Sequence, residues 1–395
     1  MNLRYVICSE IIDVRDGTHD SPKYIIDGGY PLITSKNINN NKIDFSNVNY
    51  ISEEDYIKIN QRSEVSNGDI IMPMIGTIGN PVIIDTDKKF AIKNVALFKL
   101  ANNETILSKY FYYILKTQDI KRQLESNKRG GTQNFVSLKN IRDLKIPLID
   151  ILEQKKIVEI LDKAQQLIDK RKKQIESLDE LVKSQFIEMF GDPVSNPKGW
   201  EKGKIADIII KTQYGTSNKA NEENGQFKIL RMGNITYNGH FDFSDMKYID
   251  LTEDEQKKYL VYKGEVLFNR TNSKELVGKT AVYKENEPMA YAGYLVKALP
   301  NERATGEFIA AYMNTKYVKS KLLNMAKNIV GMANINAEEF KKIDIYIPPI
   351  ELQNEYIKFI EQVDKLKFEM ENSLKELEDN FNSLMQKAFK GELFI

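Results

Sequence analysis

Two histidines, His19 and His240, and one cysteine, Cys8, are all that 395 residues offer for metal, imidazole or thiol chemistry. Neither H-E-x-x-H nor C-x-x-C occurs, and the two histidines are too distant in sequence to form a local metal pair. No G-x-x-x-x-G-K-[ST] phosphate loop is present; Gly76-Thr77-Ile78-Gly79 reads as a tight turn after a strand. The Asn/Asp-Pro-Pro-Tyr/Phe phrase of amino-methyltransferases is missing, because Ile347-Pro348-Pro349-Ile350 lacks both flanking groups. No acidic cluster with a partnered lysine stands out. The chain reads as non-catalytic, with a site assembled from scattered Asp and Glu as the alternative.

Its polar side chains gather instead in loops. In the first half these are Thr18-His19-Asp20-Ser21, Thr34-Ser35-Lys36-Asn37 and Lys128-Arg129-Gly130-Gly131-Thr132-Gln133-Asn134. In the second they are Tyr214-Gly215-Thr216-Ser217-Asn218-Lys219, Arg231-Met232-Gly233-Asn234 and Asn269-Arg270-Thr271-Asn272-Ser273-Lys274. For any one residue an ordinary turn is the plain reading, since Asn and Gly are favoured there for backbone reasons.

The elements that must position these loops occur twice, about 200 residues apart. Gly17-Thr18 recurs as Gly215-Thr216, Tyr50-Ile51 as Tyr248-Ile249, and Gly68-Asp69 as Gly264-Glu265. Gly131 and Asn134 recur as Gly331 and Asn334, and Ile146-Pro147 as Ile347-Pro348. Side chains between these anchors differ widely. One fold is used twice, with two different surfaces.

Four segments follow: domains at 1–150 and 192–350, and long helices at 151–191 and 351–395. Each domain is α+β, with short β-rich runs and one helix, at Ser108–Glu125 in the first and Thr305–Lys327 in the second. In the first long helix Ile157, Leu161, Ala164, Ile168, Ile175, Leu178 and Val182 form a heptad seam interrupted by Arg171. In the second, Tyr356, Ile360, Val363, Met370, Leu374, Leu377, Phe381, Leu384 and Ala388 do the same, interrupted by Lys367. Each helix would be roughly 54–60 Å long. Antiparallel pairing with the other covers both seams, sets the domains at opposite ends of a rod and creates an internal pseudo-two-fold. Independent helices that bind foreign partners are the alternative.

Composition sets the bounds. A hydrophobic content of 42% with 20 Tyr and 18 Phe supports real cores, and the length calls for at least two domains. A lone cysteine suits a reducing, cytoplasmic setting. No run approaches the roughly 18 apolar residues of a membrane span. Net charge is +1, yet Lys88–Lys145 holds 13 Lys/Arg against four Asp/Glu, whereas Glu351–Ile395 holds six against ten. A polyanion feels the local excess.

In the order domain, helix, domain, helix, the chain resembles the specificity subunit of type I restriction–modification systems over essentially its whole length. That family joins domain to helix through a Pro-Leu-Pro-x-x-Glu-Gln-x-x-Ile-Val phrase. Here it reads Ile146-Pro147-Leu148-Ile149-Asp150-Ile151-Leu152-Glu153-Gln154-Lys155-Lys156-Ile157-Val158. The second copy, Ile347-Pro348-Pro349-Ile350-Glu351-Leu352-Gln353-Asn354-Glu355-Tyr356-Ile357, is looser, with Leu352 where the family prefers Glu. The joint from Met189-Phe190-Gly191-Asp192-Pro193 to Asn196-Pro197-Lys198-Gly199-Trp200 is similar too.

The resemblance implies a non-catalytic reader of double-stranded DNA, each domain recognising one half of a split target. The helices would fix the spacing and dock two modification (methyltransferase) subunits. Those subunits would bring S-adenosylmethionine, and restriction subunits (translocase and nuclease) would bring ATP and Mg²⁺. DNA contacts are then expected from Thr18, His19, Lys36, Asn37, Lys128, Arg129, Gln133 and Asn134 in the first domain. In the second they are expected from Thr216, Asn218, Lys219, Arg231, Asn234, Asn269, Arg270, Asn272 and Lys274. Asn, Gln and Arg suit bidentate base reading, while Lys and Thr more often hold phosphates. A coiled-coil scaffold with two protein-binding heads is the alternative function.

Overall fold

A computed structural model describes residues 3–26, 28–39, 41–76, 78–126, 135–329 and 332–393. The chain packs as two compact units, residues 1–172 with 372–395, and residues 173–371. Each unit therefore takes in part of both long helices.

In the first unit an antiparallel sheet runs in the order Asp13–Asp16, Val95–Lys99, Ile70–Pro73, Val82–Ile83. Alternation along its central strands divides two cores. Ile70, Met72, Ala96 and Phe98 face one way, toward Tyr110, Phe111 and Ile114 of the helix Ser108–Leu115. Ile71, Val95 and Leu97 face the other, toward Ile33, Phe90 and Ile92. A second sheet, Ala91–Ile92, Tyr30–Ile33, Asn49–Ile51, Tyr24–Ile25, carries the outer lobe.

The second unit rebuilds this plan. Its main sheet runs Ile209–Tyr214, Leu295–Pro300, Val266–Asn269, Thr280–Val282. Val266 and Phe268 face the helix-side core, Leu267 the outer one. Its outer sheet is Lys247–Ile249, Phe227–Leu230, Met289–Tyr291, Leu260–Val261. The edge strand has changed sides: Tyr24–Ile25 flanks Asn49–Ile51 in the first unit, and Leu260–Val261 flanks Met289–Tyr291 in the second.

The long helices span Ile151–Phe190 and Ile350–Lys390. Gly191, at φ 86°, ends the first by donating its N–H to Ile187 O at 2.8 Å. Pairing is antiparallel within each unit. In the first, Ile157, Leu161 and Ile168 share a core with Phe381, Met385, Ala388 and Phe389, and Leu374, Leu377, Leu384 and Ala164 lie against it. In the second, Val182, Phe186 and Phe190 meet Tyr356 and Ile360. Leu178 and Val363 are buried, and Ile175 and Met370 half-buried. The polar break at Lys367 is satisfied across the seam, where its Nζ donates to Asp179 Oδ1 at 2.7 Å.

The single domain helices expected from sequence are each two. Ser108–Leu115 is followed by Gln118–Ser126, and Gly306–Met313 by Lys316–Met325. Threonine breaks both. Thr117 Oγ1 accepts from Ile120 N, and Thr315 Oγ1 from Val318 N, so each caps a new N-terminus rather than continuing the old helix. Lys327, expected as the last residue of the helix, instead opens the strand Lys327–Ile329, which pairs with Met332–Asn334. Among the described residues no helix is long and apolar enough to cross a membrane.

Candidate nucleic-acid interface

The repeated Gly-Thr pair sets the first loop of each unit. Gly17 N donates to Val95 O and Thr18 N to Ile92 O, both at 3.0 Å. Gly215 and Thr216 repeat this with Leu295 and Tyr291. A Cβ on Gly17 would lie 2.2 Å from Ile92 O, and on Gly215 2.3 Å from Tyr291 O. Only glycine permits so close an approach of two backbones. The threonine hydroxyls turn the loop: Thr18 Oγ1 accepts from Asp20 N and Thr216 Oγ1 from Asn218 N, both at 3.1 Å. These two threonines are turn residues.

Asn37 and Asn234 are buried and equivalent. Asn37 Oδ1 accepts from Thr34 N and Oγ1, and its Nδ2 donates to Asn47 O. Asn234 Oδ1 accepts from Arg231 N, and its Nδ2 donates to Asp242 O and Asp245 O. Both amide ends are spent on backbone, so neither presents an edge to a base. Arg231 is likewise committed, its Nη2 donating to Asp245 O and Oδ2. Asn218, though exposed, donates to Glu255 Oε1 at 2.9 Å. Lys36, Lys219 and Lys274 are exposed, as residues that meet phosphates must be. Lys128, Arg129, Gln133 and Asn134 lie outside the described residues.

Arg270 occupies the strongest position. Strand Val266–Asn269 ends just before it, and its backbone is clamped on both sides, N to Tyr294 O at 3.0 Å and O from Ile335 N at 2.9 Å. Its guanidinium carbon sits 4.9 Å over the Tyr214 ring, a favourable cation–π geometry. Tyr214 is exposed and is itself fixed, its hydroxyl accepting from Ala337 N at 3.1 Å. Arg270 Nη1 makes a long 3.3 Å bond to Gly293 O, and Nε is buried with no partner among the described residues. Beside it, Asn269 is fully buried with Oδ1 in the same condition, and Asn272 Oδ1 accepts from Ser273 N. Asn334 Nδ2 donates to Thr271 Oγ1 at 2.8 Å.

At the matching place in the first unit the chemistry is inverted. Met74 stands where Arg270 stands, its carbonyl clamped in the same way by Val136 N at 2.9 Å. Asp16 stands where Tyr214 stands, ion-paired with Arg62 and 2.8 Å from His19 Nε2. His19 Nδ1 faces Asn94 Oδ1 at 2.9 Å. Those hydrogen bonds, to Asn94 first and then Asp16, raise the imidazole pKa above its ordinary value. His19, Asp16, Asn94, Met74, Ile75 and Phe135 line a cleft of about 450 Å³. Sequence reasoning missed Asp16, Arg62, Asn94 and the role of Tyr214. The available signal was position: Asp16 and Tyr214 both directly precede the repeated Gly-Thr pair.

Other charges serve the scaffold. Buried Asp69 accepts from Lys99 Nζ at 2.5 Å and from Leu100 N and Ala101 N. Its counterpart Glu265 lies 3.2 Å from Lys297 Nζ. Lys109 pairs with Asp162, and Arg142 donates to Val14 O. Among the described residues of the basic stretch between 88 and 145, Lys93, Lys99 and Lys116 are half-buried and the remaining Lys and Arg are exposed. Cys8 is buried, and burial pushes its thiol up to about 12, which makes it inert.

Over residues 8–179, and again over 197–379, the chain matches the family model of the type I restriction modification DNA specificity domain. It is 23% identical over 394 residues to the EcoKI type I restriction enzyme specificity subunit of Escherichia coli (strain K12), covering 94% of this chain and 84% of that one. The StySPI specificity subunit of Salmonella potsdam is 21% identical at the same coverage. The fold is shared with the S subunit of a type I restriction–modification system from M. genitalium, at a TM-score of 0.52 and 15% identity over 98% of this chain and 96% of that one. A chain from a study of type I R-M complex assembly and conformational transition aligns at a TM-score of 0.61 and 18% identity, over 99% and 98%. With the domain model matched once in each half, and the two matches taking in most of the sequence, the chain belongs to the type I restriction modification DNA specificity family.

Proposed function

We propose that this chain reads a split double-stranded DNA target, one half per unit, and carries out no chemical step itself. The observation that carries the reading is one scaffold built twice with different side chains at equivalent reading positions, Asp16 and Met74 in one unit and Tyr214 and Arg270 in the other. The paired helices are the means of holding the two readers apart and of docking two methyltransferase subunits. S-adenosylmethionine belongs to those subunits, ATP with Mg²⁺ to the restriction subunits, and the setting is the cytoplasm.

Methylome sequencing of cells carrying this chain with its methyltransferase tests the proposal. One split motif is expected, and exchanging residues 1–150 for those of a relative should change one side of it only. DNA binding should weaken steeply with salt, because neutralised phosphates release counterions. A salt-insensitive chain with no motif would point to a protein-binding scaffold instead.

A further inference from the structure

Resting on that reading, we infer that Arg270 recognises a guanine in the half-site of the second unit, and that Tyr214 is the positioning residue that makes it selective. Guanine presents O6 and N7 side by side in the major groove, and a guanidinium fork meets both in one plane. A phosphate can take the same fork, but it offers oxygens in several directions and does not require one fixed plane. Here the plane is controlled. The guanidinium lies on the Tyr214 ring, the ring is tethered through its hydroxyl to Ala337 N, and the arginine backbone is clamped by Tyr294 and Ile335. The restraint from Gly293 O is only a 3.3 Å bond at Nη1, and the side chain is half-buried rather than enclosed. The fork is oriented but not consumed. Of the neighbouring amides, Asn234 is spent on backbone carbonyls, Asn269 is fully buried and half-buried Asn272 has its Oδ1 bonded to Ser273 N, which removes the acceptor that a bidentate amide reader needs.

The first unit supplies the contrast. Its equivalent backbone clamp carries Met74, which is buried and has no donor, and its Asp16 is already paired with Arg62 and His19. The two halves therefore cannot present the same base-reading group at this position, and the target is non-palindromic for a reason visible in four side chains.

The test uses the full chain with its methyltransferase partner, and duplexes built on the wild-type methylation motif with each second-half position permuted. Arg270→Gln is expected to move the preference from guanine to adenine at a single position, because a glutamine amide matches adenine N6 and N7, with a tenfold to hundredfold change of preference at roughly the scale of one bidentate pair. Tyr214→Leu should relax that same position by about tenfold, while Tyr214→Phe, which keeps the ring face and loses only the hydroxyl tether to Ala337 N, should relax it less. Unchanged reading of the first half-site reports that each variant is folded, and Arg270→Lys provides a second variant that keeps the charge without the fork. A uniform loss across all sequences with a shallower salt slope, or full selectivity in Arg270→Lys, would overturn the assignment by making Arg270 a phosphate contact. A wild-type motif with no guanine in that half on either strand would also overturn it and leave the split-target reading standing. A wild-type chain that yields no split motif at all overturns that reading, and this inference with it.

Discussion

Gln353 is expected to hold the second unit to its helix. Its side chain is fully buried. Oε1 accepts from Thr305 N at 2.9 Å, and Nε2 donates to Arg303 O at 3.0 Å and Pro348 O at 2.9 Å. Thr305 in turn caps the helix Gly306–Met313. Replacing Gln353 with Leu keeps the volume and strands three backbone groups. Pro348 is buried, and Arg303 and Thr305 are both half-buried, so one of those two groups is counted as turning to water. Two stranded groups at about 1–2 kcal/mol each give a loss of about 2–4 kcal/mol. For a unit of this size that is a fall in Tm of roughly 6–12 °C. The assay is built in, because Trp200 is the chain's single tryptophan, sits in the second unit and donates to Phe190 O at 2.8 Å. Its fluorescence should report the loss in Gln353→Leu. The same change at Gln154, which bonds Leu107 N, Thr105 O and Ile149 O in the first unit, should leave the tryptophan transition in place. A shift below about 0.5 kcal/mol for Gln353→Leu would refute the argument, since surface changes alone reach that size.

The two histidines should respond to acid with opposite signs. His19, whose folded pKa is raised, contributes stability below its unfolded value near 6.5 that is lost as pH rises through the folded value. His240 is held below its ordinary value by burial and by Lys367 and Lys284, against Asp179 and Asp364, so the second unit loses stability as pH falls below about 6.5. His240→Gln should flatten the Trp200 transition between pH 8 and 5.5, and His19→Asn should steepen the overall acid loss; equal slopes in wild type and variants would refute both. Gly215→Ala should cost about 1–3 kcal/mol through overpacking and abolish reading of the second half-site alone, because its Cβ would meet the backbone oxygens of Tyr291 and Ala292 at 2.3 and 2.4 Å. Half-site binding by the variant measures this.

Much of the scaffold was legible because it obeys short-range rules. The heptad seam follows from spacing, and Ile157, Leu161, Ile360 and Val363 are buried as that spacing requires. The repeated Gly17 and Gly215 stood out because glycine has few substitutes where two backbones touch. Helix breaks at Thr117 and Thr315 were missed, since a threonine cap is decided by where its hydroxyl can turn. The loop residues were found as a set but could not be sorted. Asn37 and Asn234 look in sequence like any exposed amide, and only Asn47 and Asp242, brought in by the fold, show that they are spent.

Sequence alone determined that one architecture is written twice, that two helices need apolar partners, and to which family the pattern is similar. These are properties of period and local geometry, carried by residues a few positions apart. Tertiary structure alone decided which polar groups are already bonded within the fold and which remain available. Arg270 lies on Tyr214, 56 positions away, and Asp16 is claimed by Arg62, 46 positions away. A donor is available only if no buried acceptor has already taken it, and that competition is settled by neighbours in space.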